Sequence, residues 1–296
     1  MLAKIIDGKK VAGEIKEEVK QKTLQLKNER GITPGLAFIL VGDNPSAQSY
    51  VKSKNKACDE VGFYSITEKL PASASEAEIL QLIHKFNQDN KIHGILVQLP
   101  LPQQINEQNI IEAIDYIKDV DGFHPINVGK LVIGNDCLKP CTPAGIQELL
   151  IRSGIEIAGR HVVIVGRSNI VGKPIANILY QKKKGANAVV TIVHTGTKDL
   201  SYYTKQADIL IAAIGKPKFI TADMVNPDSV VIDVGINRIA DVTAKNGSRI
   251  VGDVDFDSVA KIVSAISPVP GGVGPMTIAM LLQNTLKAAS QSFNSF

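Results

Sequence analysis

The sequence has no tryptophan, 5% aromatic residues and three cysteines in 296 residues. Cys58, Cys137 and Cys141 cannot staple a chain this long, so a disulfide framework is excluded and a reducing, cytoplasmic setting is expected. Long apolar runs are also missing. Stretches such as Ile209 to Ile214 fall far below the ~18 residues a membrane span needs. The opening MLAKIIDGKKVAGEIKEEVK carries a charge every few residues, which excludes a signal peptide there. Neither sign of charge dominates: 33 Lys+Arg stand against 29 Asp+Glu, a net +4, and Lys182-Lys183-Lys184 is the longest basic run. Nucleic acid is therefore not an expected partner, nor is a membrane, while a mildly basic surface favours anionic small molecules.

Several catalytic signatures are absent too. The five histidines are scattered and form no H-E-x-x-H, and no G-x-S-x-G elbow occurs, so zinc-protease and serine-hydrolase chemistry have no support. Cys137-x3-Cys141 lacks zinc spacing and a second ligand pair, so no metal is expected.

What is present is a soluble α/β pattern with 44% hydrophobic and 21% charged residues, long enough for two domains at ~150 residues each. The apolar run at 36–41 reads as a strand, as do the segments at 63–67 and 92–98. Helical segments at 50–61, from Ser75 (with Glu78 at capping-box spacing) and at 106–117 lie between and after them. The rhythm restarts after Cys141-Thr142-Pro143, where Thr142 is the expected cap of a connecting helix over 144–153. Four buried strands follow at 161–165, 188–193, 208–213 and 229–234. A Gly/Pro loop and an amphipathic helix over 276–289 end the chain. The alternation predicts parallel sheets covered by helices in two α/β domains. The expected division is 1–142 plus 269–296, the C-terminal helix returning to the first domain, and 143–268 as a Rossmann-type domain.

The segment from His161 to Ala176 reads as strand, glycine turn and helix start. Gly166 permits the turn, Gly172 a close helix–sheet approach, and Pro174 suits a first helical turn. Backbone N–H groups at such a start favour phosphate. The spacing is Gly-x5-Gly, neither G-x-G-x-x-G nor a P-loop, so a plain strand–helix turn fits as well. The next strand ends Val193-His194-Thr195-Gly196-Thr197 without the carboxylate that holds an NAD ribose. If a dinucleotide binds, Arg167 and Thr195 favour NADP; a solvated surface arginine is the other reading of Arg167.

In the first domain, Tyr50 and Lys54 share a helix face after the first strand, Gln98 ends another strand, and Asp121 lies in Asp119-Val-Asp-Gly122. All four fall where open α/β sheets build sites, and a lysine there can serve as a base if burial lowers its pKa. Each also has a plain reading: Lys54 as a solvated helix charge beside Lys52 and Lys56, Gln98 as a strand cap, Asp121 as a turn former.

Taken together, the chain resembles the bifunctional methylenetetrahydrofolate dehydrogenase/methenyltetrahydrofolate cyclohydrolase (FolD) family. The matching blocks are Tyr50-Val-Lys-Ser-Lys54, Val97-Gln-Leu-Pro-Leu-Pro102, Asp119-Val-Asp-Gly122, Gly166-Arg-Ser-Asn-Ile-Val-Gly172, Val231-Ile-Asp-Val-Gly-Ile-Asn237 and Pro268-Val-Pro-Gly-Gly-Val-Gly-Pro-Met-Thr277, in order along nearly the whole chain. The resemblance implies oxidation of 5,10-methylenetetrahydrofolate with NADP⁺ to the methenyl cation, then hydrolysis to 10-formyltetrahydrofolate. This is one-carbon metabolism, which feeds purine biosynthesis. It implies that Lys54 assists water attack, that Gln98 holds Lys54, that Tyr50 contacts the pterin and p-aminobenzoate region, and that Asp121 binds the pterin N–H edge. Val97, Leu99, Pro270, Gly271 and Gly272 complete the implied folate site. Gly166, Arg167, Ser168, Ile170, Thr195 and Ile236 form the implied NADP site. A homodimer and folate substrates, with or without a polyglutamate tail, are implied as partners.

Two positions depart from the family. Ala47 stands where many relatives have a hydroxyl residue, and Thr195 where many have serine. The first motivates one alternative, a dehydrogenase with weak cyclohydrolase. A non-catalytic dinucleotide-binding regulator has no use for Lys54, Gln98 and Asp121 together, and a dehydrogenase of another small substrate leaves the Pro268–Thr277 block unexplained.

Overall fold

The computed structural model describes residues 2–241, 243 and 247–291. The chain runs β1 (Lys4–Ile5), α1 (Gly8–Arg30), β2 (Gly35–Val41), α2 (Pro45–Val61), β3 (Tyr64–Leu70), α3 (Glu76–Gln88), β4 (Gly94–Val97), α4 (Glu107–Ala113), α5 (Pro125–Val132) and α6 (Cys141–Arg152). It continues β5 (His161–Val165), α7 (Gly172–Leu179), β6 (Val189–Val193), α8 (Leu200–Thr204), β7 (Ile209–Ala212), β8 (Val230–Asp233), β9 (Asn237–Ala240), β10 (Ser248–Val251), α9 (Phe256–Val259), β11 (Ala265–Ile266) and α10 (Val273–Gln291).

Two compact units result. One comprises Gly13–Cys141 with the chain from Ile278 onward; the other comprises the chain up to Ala12 with Thr142–Thr277. In the first, β3-β2-β4 form a parallel sheet. Every residue of β2 is buried, as expected of a continuous apolar run in a parallel sheet. Ile39, Ile79, Ile83, Phe86 and Ile95 belong to its core.

Local chemistry sets the element ends. The Asn44 side chain accepts N–H bonds from Ser46 and Ala47 and Pro45 takes the first turn, so α2 starts five residues before the predicted Tyr50. Gly62, at φ 77°, ends it. Ser75 and Glu78 form the expected capping box. The predicted 106–117 helix stops at Ala113, because Asn87 donates to the Ala113 carbonyl at 2.8 Å and accepts from the Asp115 N–H at 3.0 Å.

In the second unit, β1-β11-β8-β7-β5-β6 form a parallel sheet, and its strands from β5 to β8 lie within one residue of prediction. Val163, Val165, Leu210 and Val231 lie in its core. Thr142 does not cap the connecting helix as predicted. α6 begins at Cys141, and the Thr142 hydroxyl is engaged with that of Thr277 at 2.9 Å. The two-residue strand β1 pairs with β11, so the chain's first dozen residues join the second unit rather than the first, unlike the predicted division. The antiparallel pair β9–β10 was not anticipated either, since its strands carry few buried residues.

Candidate active site

Within the first unit the structure brings Lys54, Gln98 and Asp121 together. Lys54 on α2 is 8% exposed, and its Nζ donates to Gln98 Oε1 at 3.1 Å. Gln98 is oriented from both ends: its backbone N–H donates to the Ile39 carbonyl at 2.9 Å and its Nε2 to the Leu99 carbonyl at 2.9 Å. The side-chain oxygen is thereby left to face the lysine. Tyr50 sits one turn earlier on α2, 41% exposed, with burial raising its phenol pKa. Val97 is buried at the end of β4 and Leu99 is half-buried.

Asp121 is half-buried and its carboxylate accepts no hydrogen bond from any described residue. Burial pushes its carboxyl up to about 6, with the Lys54 charge pulling down and Asp119 pushing up. A lysine, an amide and an unpartnered carboxylate therefore share one site, able to hold a water, a cationic carbon and an N–H edge.

Asp119, two residues before Asp121, builds the loop that presents it. Its buried carboxylate accepts the Gly122 N–H at 3.2 Å, the His124 N–H at 2.8 Å and the Asn127 amide at 2.9 Å. Gly122 has φ 74°, and a Cβ there would lie 2.5 Å from the Lys139 carbonyl carbon and the Pro140 nitrogen. From α10, Asn284 Nδ2 donates to the Val120 and Lys139 carbonyls, both at 2.8 Å. No sequence spacing marks Asn127 or Asn284 as part of this support.

In the second unit, Gly166 turns the chain out of β5 at φ 141°, where a Cβ would lie 2.2 Å from the Ala213 oxygen; at Gly172 one would lie 2.3 Å from the Gly166 oxygen. The Ser168 hydroxyl accepts the N–H groups of Val171 at 3.1 Å and Gly172 at 3.4 Å. The backbone N–H groups of residues 167–170 have no partner among the described residues, and Arg167, Ser168 and Ile170 are exposed around them. Free donors after a parallel strand, with an arginine at hand, fit a phosphate-bearing cofactor. Thr195, exposed, ends the neighbouring strand, and Ile236, 50% exposed, follows β8.

The loop carrying Pro270, Gly271 and Gly272 belongs to this second unit. Lys9 N–H donates to the Gly271 carbonyl at 3.1 Å, and Gly272 N–H to the Pro268 carbonyl at 2.8 Å. A Cβ at Gly8 would fall 1.8 Å from the Gly272 oxygen, so the start of α1 packs directly on this loop. The sequence feature at this contact is the Asp7-Gly8-Lys9 run.

A parallel dinucleotide-type sheet in one unit and a buried lysine site at strand ends in the other define a two-domain nicotinamide-dependent dehydrogenase. The comparisons with known proteins make this specific. Residues 6–121 match the family model of the tetrahydrofolate dehydrogenase/cyclohydrolase catalytic domain, and residues 140–293 that family's NAD(P)-binding domain. The chain is 59% identical over 292 residues to the bifunctional protein FolD of Syntrophus aciditrophicus, covering 99% of each. The Campylobacter jejuni FolD crystal structure is 50% identical with TM-score 0.92, covering 98% of this chain and 99% of that one. The Trypanosoma brucei enzyme, solved with NADP and an inhibitor, is 37% identical with TM-score 0.94 over all of both chains. The chain belongs to the tetrahydrofolate dehydrogenase/cyclohydrolase family, and it is both a dehydrogenase and a cyclohydrolase.

Proposed function

We propose that the first unit holds the folate and performs the hydrolysis, while the second holds NADP for the oxidation. The observation that carries this reading is the Lys54–Gln98 contact at 3.1 Å beside the unpartnered Asp121 carboxylate. Asp121 accepts the paired N–H donors of the pterin edge, a bidentate charge-assisted contact that fixes the ring. Tyr50 lies along the p-aminobenzoate side, and Val97 and Leu99 line the same site.

The bound cofactor supplies a hydride acceptor. The protein's task in that step is positioning, and no side chain has to move a proton. Gly166 makes the turn, its own N–H donating to the Val193 carbonyl at 2.8 Å. Ser168 and Ile170 offer backbone donors to the pyrophosphate, Arg167 and Thr195 receive the 2′-phosphate, and Ile236 flanks the nicotinamide. The second step does need a proton moved. Water adds to the cationic methenyl carbon and gives a proton to Lys54 Nζ in its amine form. The adduct's hydroxyl then loses its proton to solvent as the carbonyl forms, while Nζ returns its proton to N5 and the carbon–N5 bond breaks. This leaves the formyl group on N10 and one proton released overall. Gln98 Oε1 holds Nζ in line through this sequence.

Ala47 supports the second reading, weak cyclohydrolase, because it brings no hydroxyl to the turn before Tyr50, and the hydroxyls of Ser46 and Ser49 bond to neither Lys54 nor Gln98. The Lys54–Gln98 contact forms without one, which favours both activities. Supplying the methenyl compound directly and following its absorbance tests this: fast decay to the formyl product is expected, and a persistent signal favours the second reading. We also propose a cytoplasmic homodimer that accepts folates with or without polyglutamate tails. Among the described residues, no helix is long and apolar enough to cross a membrane. Sedimentation at micromolar concentration is expected to give twice the chain mass.

A further inference from the structure

Two carboxylates in the second unit are almost fully buried, and neither hydride transfer nor hydrolysis uses them. Asp233, at the end of β8, and Asp253, just after β10, are 2% and 0% exposed. Asp233 accepts the N–H groups of Gly235 at 3.0 Å, Asp253 at 2.8 Å and Val254 at 3.0 Å. Asp253 accepts those of Ile214 at 2.7 Å and Gly215 at 2.8 Å, and the Asn237 amide at 2.8 Å. The two are packed so closely against backbone that a Cβ at Gly252 would lie 1.7 Å from Asp233 Oδ2, and one at Gly235 would lie 2.1 Å from Asp253 Oδ1. Burial pushes the Asp233 carboxyl up to about 7 against the pull of its three N–H donors, with Asp253 adding to the rise.

Four of the six bonds end at residues 214, 215, 235 and 237, beside the proposed cofactor residues. Ile214 and Gly215 follow β7 at its carboxyl end, and Ala213 beside them is the residue whose carbonyl Gly166 approaches most tightly. Ile236 lies between the two points tied down, the Gly235 N–H held by Asp233 and the Asn237 amide held by Asp253. Burying two acids side by side costs stability unless each is fully hydrogen-bonded. Apolar residues would fill a plain core more cheaply. An acid is needed where several backbone donors from separate loops must be gathered at one point.

We infer that Asp233 and Asp253 are positioning residues for the cofactor: they lock the 213–215 and 235–237 segments together, so that Ile236 and the glycine turn at Gly166 are set before the dinucleotide arrives. The inference rests on the dinucleotide site proposed above. Both variants below act through backbone placement, so the quantity they change is cofactor affinity.

The two activities of the enzyme supply the control, because hydrolysis of preformed methenyltetrahydrofolate consumes no hydride acceptor. Asp253→Asn replaces one carboxylate oxygen by an NH2 group, so either the Ile214 and Gly215 N–H groups or the Asn237 amide face a donor instead of an acceptor. Asn237→Ala, a milder change, cuts the side-chain tie at Asn237 alone. Each is to be measured for the NADP⁺ KM, the kcat of oxidation and the rate of methenyl hydrolysis, with Arg167→Ala as reference. The expected result for Asn237→Ala is an NADP⁺ KM raised about fivefold or more, and for Asp253→Asn a larger rise, with methenyl hydrolysis kept within about twofold. If Asp253→Asn fails to fold, Asn237→Ala carries the test. An unchanged NADP⁺ KM in folded Asn237→Ala, while Arg167→Ala raises it, overturns the inference and leaves the cofactor site standing. Parallel loss of both activities also overturns it, because the pair then serves folding only. If Arg167→Ala leaves the NADP⁺ KM unchanged as well, the cofactor site itself is misplaced and the inference falls with it.

Discussion

Lys54 and Gln98 are 44 positions apart in sequence and 3.1 Å apart in space, and the amide is held so that its oxygen meets the lysine Nζ. This contact turns a lysine in a run of three into a distinct group. Lys52 and Lys56 on the same helix are exposed, whereas Lys54 is buried. Gln98 is held by the Ile39 carbonyl on β2 and the Leu99 carbonyl just after β4, so the contact is formed without a ligand.

Lys54→Met is expected to abolish methenyl hydrolysis, by at least about a hundredfold, the usual contribution of a positioned proton-transfer group. Methionine fits the same buried slot without a charge, so thermal melting should stay cooperative. Hydrolysis at the wild-type rate by this variant contradicts the role given to the lysine.

The folate KM is expected to depend on pH through Asp121. Its carboxyl lies at about 6, raised by burial, and only the ionised form accepts both pterin N–H donors. The KM should therefore fall as pH rises through 6, and in Asp121→Asn it should be high and flat. The stability effect has the opposite sense. A carboxyl raised on folding adds stability below its ordinary pKa, and that stability is lost as pH rises through about 6. Urea titrations of wild type and Asp121→Asn between pH 4 and 7 measure this directly.

The support beneath Asp121 is expected to be unforgiving. Asn284→Ala removes the donor shared by the Val120 and Lys139 carbonyls and should cost about 1–3 kcal/mol, read from urea melts. Gly122→Ala should be worse, since it adds left-handed strain to a 2.5 Å overlap with backbone at Lys139 and Pro140. A Gly122→Ala protein as stable as wild type contradicts the described geometry of this loop.

Cofactor choice is expected to lie with Arg167. Removing a charged hydrogen-bond partner of a phosphate costs about 1.5–3 kcal/mol, so Arg167→Ala should raise the NADP⁺ KM roughly 10- to 150-fold. The NAD⁺ KM should move little, because NAD⁺ has no 2′-phosphate. Equal changes with both nucleotides contradict the assignment.

The legible parts of this protein were those whose signal is local. The strands β5 to β8 lay within one residue of prediction because buried parallel strands read as unbroken apolar runs. The Ser75–Glu78 capping box was readable because both halves lie within one turn. Errors arose where a distant partner intervened: Asn87 ended the 106–117 helix early, and Thr277 engaged the hydroxyl of Thr142. Strand β1 is two exposed residues whose only reason to be a strand is β11, some 260 positions on. In the site, Lys54, Gln98 and Asp121 were recognisable from motif and strand-end position. Asp119, Asn127, Asn284, Asp233 and Asp253 were not, because a residue that supports a loop has no spacing rule and shows itself only through its bonds.

The most direct test is a single reaction: purified protein, 5,10-methylenetetrahydrofolate and NADP⁺, with NAD⁺ in parallel, following reduced cofactor and methenyl absorbance together. NADPH formation with no lasting methenyl signal, and much slower reduction of NAD⁺, is the expected result. No reduced cofactor with either nucleotide contradicts the account, and NADPH formation with accumulating methenyl compound contradicts its assignment of an active lysine site.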